Sequence, residues 1–315
     1  MSNTSVLVSE FVLHCAIEKD KMTFTIIALA LIYLVTLFGN LMVITVVIIN
    51  PHLHNPMFVY IGTLAVIDVV NSTNLIPRML AVLAFNAISV PYGPCLLQLS
   101  MVYYLSLAES FLLSVMACDR YVAVVYPLQY PSIVTNKIVC FSILLVNILA
   151  AAVLTPYLVF VRELSFCRTN ILPYCFCDFV TMIHISCTED PRHLTLLSST
   201  TIVTGFGGLG LCILSYGRII VAALKINSAD GKRKAFSTSL THLLVVSLFY
   251  LPLIISYTLP GFGVQLSAEA YNVLVIIAIM VPPMMNPIIY SFRNKEIKSS
   301  IYRLYTGKRT NPVSQ

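Results

Sequence analysis

Charged side chains are scarce in this sequence. Only 10% of its 315 residues are Asp, Glu, Lys or Arg, against 58% hydrophobic residues, too little polar surface for a water-soluble globular chain. The opening residues lack a basic region followed by an apolar core and a cleavage site, so the first apolar block is expected to act as its own targeting signal. No cysteine follows Cys212, which excludes a palmitoyl anchor on the C-terminal tail. No spacing of His and Cys suits zinc, and no nucleophile has a base beside it, so an enzyme is not expected.

Apolar sequence is abundant and comes in blocks. Seven lie near residues 24–49, 57–81, 94–119, 137–161, 194–224, 236–259 and 270–291, each long enough for the ~20 residues that cross a hydrocarbon core. Backbone groups in lipid must be satisfied within their own segment, and the blocks lack the alternation of barrel strands, so helices are expected. Pro77, Pro156, Pro252, Pro282, Pro283 and Pro287 fall inside the blocks and are expected to kink these helices rather than end them. The fold class is therefore an all-α membrane protein, a seven-transmembrane helix bundle without a soluble domain of any size. No internal repeat is visible, and seven spans do not divide into the paired halves common among secondary transporters.

Lys and Arg placement orients the bundle. With the N-terminus outside, the inner loops, tail and inner helix ends carry thirteen basic residues: Arg120, Lys137, Arg218, Lys225, Lys232, Arg233, Lys234, Arg293, Lys295, Lys298, Arg303, Lys308 and Arg309. The outer side carries six: Lys19, Lys21, Arg78, Arg162, Arg168 and Arg192. The first span by itself argues the other way, because Lys19 and Lys21 precede it and "NPHLHNP" follows it, but the whole-chain count prevails. Two features agree with it. "NTS" at Asn3 is a glycosylation sequon, usable only on the lumenal side, whereas the second sequon, at Asn71, lies inside a span. Six of the nine cysteines (15, 95, 167, 175, 177 and 187) also fall outside. The net charge of +6 reflects the cytoplasmic excess facing anionic lipid, so membrane lipid is the expected partner and nucleic acid is not.

Three segments follow: a short, loose extracellular tail over residues 1–21, a seven-helix body over 22–291, and a cytoplasmic amphipathic helix with its tail over 292–315. In the last, Ile297, Ile301, Leu304 and Tyr305 recur at helical spacing among basic residues, the pattern of a short eighth helix on the inner leaflet. The long outer loop contains "CRTNILPYCFCDFVTMIHISC". A loop of this length would be floppy without staples, and the oxidising exterior permits disulfides, one of them pinning the loop to Cys95 at the outer end of the third span. Spacing leaves their connectivity open.

Asp68 and Glu109 are the only acids deep inside spans, where charge is costly by at least ~2.5 kcal/mol. Both lie roughly 16 to 18 Å from the inner surface at 1.5 Å per residue. They share a layer, with Asn40 and Asn286 within about two helical turns of it. Two carboxylates in low dielectric do not both ionise readily, so they either share a proton or hold a cation between them, and oxygen ligands suit a hard cation such as sodium. An ion pathway would be the transporter version of the same pair.

"GN" at 39–40, "DRY" at 119–121, Pro252 in the sixth span and "NPIIY" at 286–290 occur in order on the matching spans and resemble the rhodopsin-like G-protein-coupled receptors. More specific are "LHNPMF" at 53–58, "MACDRYVAVVYPLQY" at 116–130, "SY" at 215–216, "KAFSTSLTHL" at 234–243 and "PPMMNPIIYSFRNKEIK" at 282–298. Together these are similar to the signature set of vertebrate odorant receptors over nearly the whole chain. There are departures. "PMFVYI" stands where the family reads PMYFFL, and Cys118 and Val125 replace the usual Tyr and Cys around "DRY". An opsin needs a lysine in the seventh span, and residues 269–291 have none; an amine receptor carries an aspartate where Val102 stands.

The resemblance implies disulfides Cys95 to Cys177 and Cys167 to Cys187, leaving Cys15 and Cys175 unassigned, and it favours sodium at Asp68 and Glu109, with no other cofactor required. It implies a ligand pocket in the outer half of the bundle. Val102, Tyr103, Ser106 and Leu107 share a face of the third helix at i, i+3, i+4 spacing. Thr200, Thr201 and Thr204 of the fifth, Tyr250, Leu253, Ile254 and Tyr257 of the sixth, and Val275 and Ile279 of the seventh would complete an apolar wall with a few hydroxyls, suited to a small, weakly polar odorant. It implies a switch on the inner side made of Asp119, Arg120, Tyr121, Tyr216, Asn286, Pro287 and Tyr290. Arg120 would leave Asp119 as the sixth helix swings outward, and Tyr216 and Tyr290 would turn inward. The implied partner is a heterotrimeric stimulatory G protein that raises cyclic AMP, reached from the plasma membrane with the C-terminus inside. The basic run Lys232 to Lys234 would face it. A rhodopsin-like receptor for another small ligand, or a cation-coupled transporter, are the alternatives.

Overall fold

Each apolar block forms a helix, and several of these helices begin or end at a proline, an asparagine or a polar cap. In a computed structural model, described for residues 9–15, 17–166, 169–187, 191–226, 228–261 and 268–306, helix α1 (Lys19–Ile49) is followed by a single 3-10 turn (Pro51–Leu53) and by α2 (Pro56–Phe85). Pro56 opens α2 at a position whose N–H has no intrahelical partner. Asn86 closes it in the left-handed region at φ 53°, which asparagine tolerates better than most residues. Then come α3 (Tyr92–Val125), the short helix α4 (Tyr130–Ile133), and α5 (Asn136–Glu163), where Thr135 accepts from the Ile138 amide at 3.5 Å. Helix α6 (Phe179–Ile185) lies in the long outer loop and is capped by Asp178, which accepts from the Thr181 amide at 3.2 Å.

The fifth span is continuous but changes pitch. It runs as α7 (Pro191–Thr200), a π-helical stretch (Thr201–Phe206) and α8 (Gly207–Leu224). Helices α9 (Ala229–Gly261) and α10 (Ala268–Arg293) follow, and α11 (Lys295–Thr306) turns away after Asn294, whose side chain accepts from the amides of Glu296 and Ile297. Among the described residues six helices are long and apolar enough to cross a membrane, and α9 contributes the shorter apolar stretch Ser239–Leu253. Together they form the seven-helix membrane bundle expected from the sequence. The prolines at 77, 156, 282, 283 and 287 all lie within continuous helices.

Helix α3 is the axis. It packs on α2, α5, α8 and α9, while α1 sits between α2 and α10, and α10 closes the ring against α9. Of its apolar stretch 61% is buried, against 22% for α1 and α5, so α1 and α5 face lipid and α3 carries the residues that link the others. Glycines allow two close approaches. A Cβ on Gly39 would stand 2.8 Å from Pro287 Cγ, so α1 meets α10 only without a side chain there. A Cβ on Gly208 would crowd the Tyr250 hydroxyl and stand 3.2 Å and 3.3 Å from Ser110 Oγ and Ser114 Oγ, while Gly205, Gly207 and Gly210 have open space. In "GFGGLGLC", then, one glycine serves helix approach.

The N-terminal tail departs from expectation. Residues Glu10–Leu13 form strand β1, antiparallel to β2 (Ser89–Pro91) and parallel to β3 (Ile171–Leu172), and Phe11 and Leu13 are fully buried. Arg78 Nη2 donates to the Ser89 carbonyl at 2.6 Å, and Ser89 Oγ donates to Glu10 Oε2 at 2.6 Å. A disulfide joins Cys15 to Cys175, alongside Cys95 to Cys177. No single segment of the tail is long enough to signal structure by itself. Its strand exists only through partners about 80 and 160 residues away and, once paired, buries Phe11 and Leu13 in one cluster with Val90, Leu99 and Phe166. Cys187 is disulfide-bonded; Cys167, Arg168, Asn3, Lys308 and Arg309 lie outside the described residues, as do the side chains of Thr201, Lys234, Ile254 and Tyr257.

Candidate functional site

The outer layer is built on Gln98 of α3. Its Oε1 accepts from the Cys177 amide at 3.1 Å, its Nε2 donates to the Asn74 carbonyl at 3.0 Å, and Asn74 Nδ2 donates back to the Gln98 carbonyl at 3.2 Å. The long outer loop is thus hydrogen-bonded as well as disulfide-bonded to the bundle. Between the two half-cystines Cys175 and Cys177, Phe176 turns inward and is 4% exposed, packed in one cluster with Leu29, Leu75, Ile76, Met79, Val102 and Met280. Val275 and Ile279 pack against this cluster. Three of the expected pocket residues, Val102, Val275 and Ile279, are therefore brought together in one cluster with Phe176.

Other expected pocket residues diverge. Tyr103 turns toward α5 and α6, with its ring 5.3 Å from Tyr157 and 6.2 Å from Phe179, and its hydroxyl donates to Asp178 Oδ1 at 3.5 Å. Leu107 is buried in the central core, and Leu253 packs against that core. The common face drawn for Val102, Tyr103, Ser106 and Leu107 is broader than one wall, because side chains at i and i+1 point about a quarter-turn apart. Tyr250 is buried and bonds Ser110 Oγ at 2.9 Å, while Ser110 Oγ donates to the Thr204 carbonyl at 3.2 Å. Thr204 Oγ1 in turn donates to the Thr200 carbonyl at 2.7 Å. Tyr250, Ser110 and Thr204 thereby tie α9, α3 and the π-helical stretch at one point. Thr200 and Ser106 are half-buried.

The middle layer is the acidic one. Asp68 and Glu109 are 0% and 3% exposed. Asn286 Nδ2 donates to Asp68 Oδ2 at 3.0 Å, and Asn40 Nδ2 donates to the carbonyls of Pro283 and Thr36, both at 2.9 Å. Asp68 Oδ1, Glu109 Oε1, Asn71 Oδ1 and Asn286 Oδ1 are buried without a hydrogen-bond partner among the described residues. All four are oxygen acceptors, the donor set that a hard cation takes. Among the described residues no group of three or more His, Cys, Asp or Glu assembles as a metal cluster, so any cation here would rest on two carboxylates and amide oxygens.

At the inner end Arg120 pairs with Asp119 through Nε and Nη2, and Tyr130 donates to Asp119 Oδ1 at 2.7 Å. Burial and the Asp119 charge hold the Tyr130 hydroxyl well above the ordinary tyrosine range, so it remains a donor at physiological pH. Tyr216 of α8 is hydrogen-bonded to His242 Nδ1 of α9. A cavity of about 10 Å³ joins the two groups, lined by Met57, Tyr60, Met116, Asp119, Arg120, Thr241, His242 and Tyr290. Tyr121 stands apart, its ring 6.1 Å from Tyr126. Tyr290 is buried, with no hydrogen-bond partner for its hydroxyl among the described residues.

Residues 29–308 match the family model described as "Olfactory receptor". The chain is 34% identical to human olfactory receptor 13G1 over 302 residues, 95% of this chain and 97% of that protein. It is 37% identical to gorilla olfactory receptor 1G1 over 91% of both chains, and 33% identical to mouse olfactory receptor 1M1 over 95% and 96%. The chain belongs to the olfactory receptor family.

Within this olfactory receptor, sequence reasoning missed Phe176, Gln98, Ser110 and His242. His242 sits inside the quoted "KAFSTSLTHL", and a histidine in an apolar span is itself a signal, since a buried imidazole needs a partner. Ser110 and Ser114, one turn apart opposite Gly208, are a small-residue pattern that marks a close helix crossing. Phe176 had no signal of its own beyond its place between two cysteines.

Proposed function

We propose that this chain is an odorant receptor of the plasma membrane, with its N-terminus outside and C-terminus in the cytoplasm. A small, weakly polar organic ligand bound in the outer half of the bundle activates a heterotrimeric stimulatory G protein and raises cyclic AMP. The observation that carries the reading is the pair of closed contacts at the inner end, Arg120 with Asp119 and Tyr216 with His242, around one cavity and within a chain of this family.

Val102, Val275 and Ile279, clustered with Phe176, are the proposed apolar wall, with Tyr250 at its floor. Tyr250 reaches α3 and the fifth span through Ser110 and Thr204, so a ligand that shifts Tyr250 also shifts the seat of α9. Outward movement of the inner end of α9 separates His242 from Tyr216, frees Arg120 from Asp119 for the G protein while Tyr130 stays on Asp119, and leaves Tyr216 and Tyr290 to support the open form. Only a ligand with higher affinity for the open state drives this change. Sodium between Asp68 and Glu109, with Asn286 as a further oxygen ligand, would neutralise the pair and hold α2, α3 and α10 in the closed arrangement. Its support is the set of unpartnered oxygens.

The test is a cyclic AMP reporter assay of cells expressing the full chain, screened against chemically diverse odorants in sodium and sodium-free media. A ligand-dependent rise, lost in Arg120→Ala at normal surface expression, is the expected result. Absence of any cyclic AMP response, together with an ion flux that requires Asp68 and Glu109, would replace the receptor with a transporter.

A further inference from the structure

A groove of about 530 Å³ lies on the outside of the bundle where α1, α10 and α11 meet, a volume within the ~300–1,000 Å³ range of small-molecule sites. Its walls are Leu34, Val35, Phe38 and Met42 of α1 and Ile288 and Phe292 of α10, with Gly39 and Pro287 in contact at its floor. Lys298 and Ile301 of α11 close one end. The lining is apolar apart from Lys298 and Ser291, and Ser291 Oγ is buried without a hydrogen-bond partner among the described residues.

We propose that this groove is a binding site for an anionic phospholipid of the inner leaflet, its acyl chain along α1 and its phosphate against Lys298. Three observations carry this assignment. The groove follows α1 from residue 34 to 42, roughly 12 Å at 1.5 Å per residue, close to one leaflet of a ~30 Å hydrocarbon core. Its basic end lies on α11, which turns away from α10 after Asn294, and Lys298 is exposed with no acidic partner among the described residues. The apolar walls that flank it, Leu34, Phe38 and Phe292, are 61%, 63% and 74% exposed, so they require an apolar neighbour along their length. A sterol would fill the apolar part and leave the ammonium without a counter-charge. The orientation proposed above enters only in choosing an anionic headgroup, since the cytoplasmic leaflet holds the anionic lipids.

Purified full-length receptor is reconstituted in phosphatidylcholine bilayers containing a trace of phosphatidylserine with a photoreactive acyl chain, or phosphatidylcholine with the same chain, and adducts are mapped by mass spectrometry. Phosphatidylserine is expected to label residues 34–42 and 287–301 above the lipid-facing Phe141, Leu144 and Ile148 of α5, with no such preference for phosphatidylcholine. Lys298→Gln lowers the groove adducts about fivefold, the effect of one basic side chain beside an anionic surface, and Lys298→Arg retains them. Thermal unfolding of both variants shows that each is folded. Equal labelling by the two headgroups, or adducts indifferent to Lys298→Gln, overturns the proposal. So do receptor-to-receptor crosslinks through Phe38→Cys that exclude both lipids, which would assign the groove to a second copy of the chain.

Discussion

Asn286 donates from its side-chain amide to Asp68 at 3.0 Å, across 218 residues of sequence. The bond satisfies one oxygen of a fully buried carboxylate and leaves the other, with Glu109 Oε1 and Asn286 Oδ1, unpartnered among the described residues. A carboxylate in this position demands either a proton or a cation.

Asp68→Asn keeps an acceptor for Asn286 and removes the charge. In the unsubstituted receptor, replacing choline by sodium at about ten times the dissociation constant is expected to stabilise the fold by about 1.4 kcal/mol, a rise in Tm of roughly 2 to 4 °C per kcal/mol. Asp68→Asn should abolish that rise. A sodium-independent Tm in the unsubstituted chain would assign the pair to a shared proton.

Gly39→Ala places a methyl group 2.8 Å from Pro287 Cγ. Overpacking at such a contact costs typically ~1–3 kcal/mol, so Tm and surface expression should fall. Gly210→Ala, with nothing within 4 Å of the added carbon, is the control and should gain up to about 1 kcal/mol from helix propensity.

Tyr130→Phe deletes the 2.7 Å bond to Asp119. Tyr130 is the donor that remains to Asp119 once Arg120 leaves, and a hydrogen bond to a charged group is worth about 1.5–3 kcal/mol, so without it release of Arg120 becomes harder and ligand-free cyclic AMP should fall about tenfold or more. Unchanged basal signalling at equal surface expression would confine Tyr130 to holding α4 in place.

Cys15→Ser should free the N-terminal strand. Losing a disulfide of this kind costs about 2–4 kcal/mol, here concentrated in the sheet β1 to β3. Proteolysis within residues 9–18 should accelerate, and Cys15→Ser with Cys175→Ser should behave like the single variant. A double variant that digests as slowly as the unsubstituted chain would show that hydrogen bonds alone hold the strand.

Phe176→Ala removes a large side chain packed on Val102. Loss of such a buried aromatic corresponds to about 1.5–3 kcal/mol, so the half-maximal odorant concentration should rise tenfold or more. Leu144→Ala, on the lipid-facing side of α5, should leave it unchanged. An equal response from both variants would place the ligand away from Phe176.

Spans and buried polar residues were legible because each is written locally. A run such as residues 24–49 either is or is not long and apolar enough to cross lipid. Asp68 and Glu109 stood out because charge there is costly, and counting residues from the inner ends put them at one depth without any knowledge of packing. Tyr103 was placed on the pocket wall by the same counting and turned to Asp178 and Tyr157 instead, since helical spacing gives a face about as wide as two neighbours. Strand β1 was illegible for a different reason: four residues carry too little pattern to be read without the partners that make them a strand.

Hydrophobic length, proline and glycine positions and the order of motifs determined by themselves that this chain is a seven-helix membrane protein of the family it resembles. The tertiary structure alone decided that Cys15 meets Cys175, that Tyr216 meets His242, that Tyr250 reaches Ser110, and that Gly39 lets α1 rest on Pro287. Each of these contacts joins residues from 26 to about 250 positions apart. Helix propensity and hydropathy depend on near neighbours, whereas such pairings depend on how every helix between them is rotated and seated.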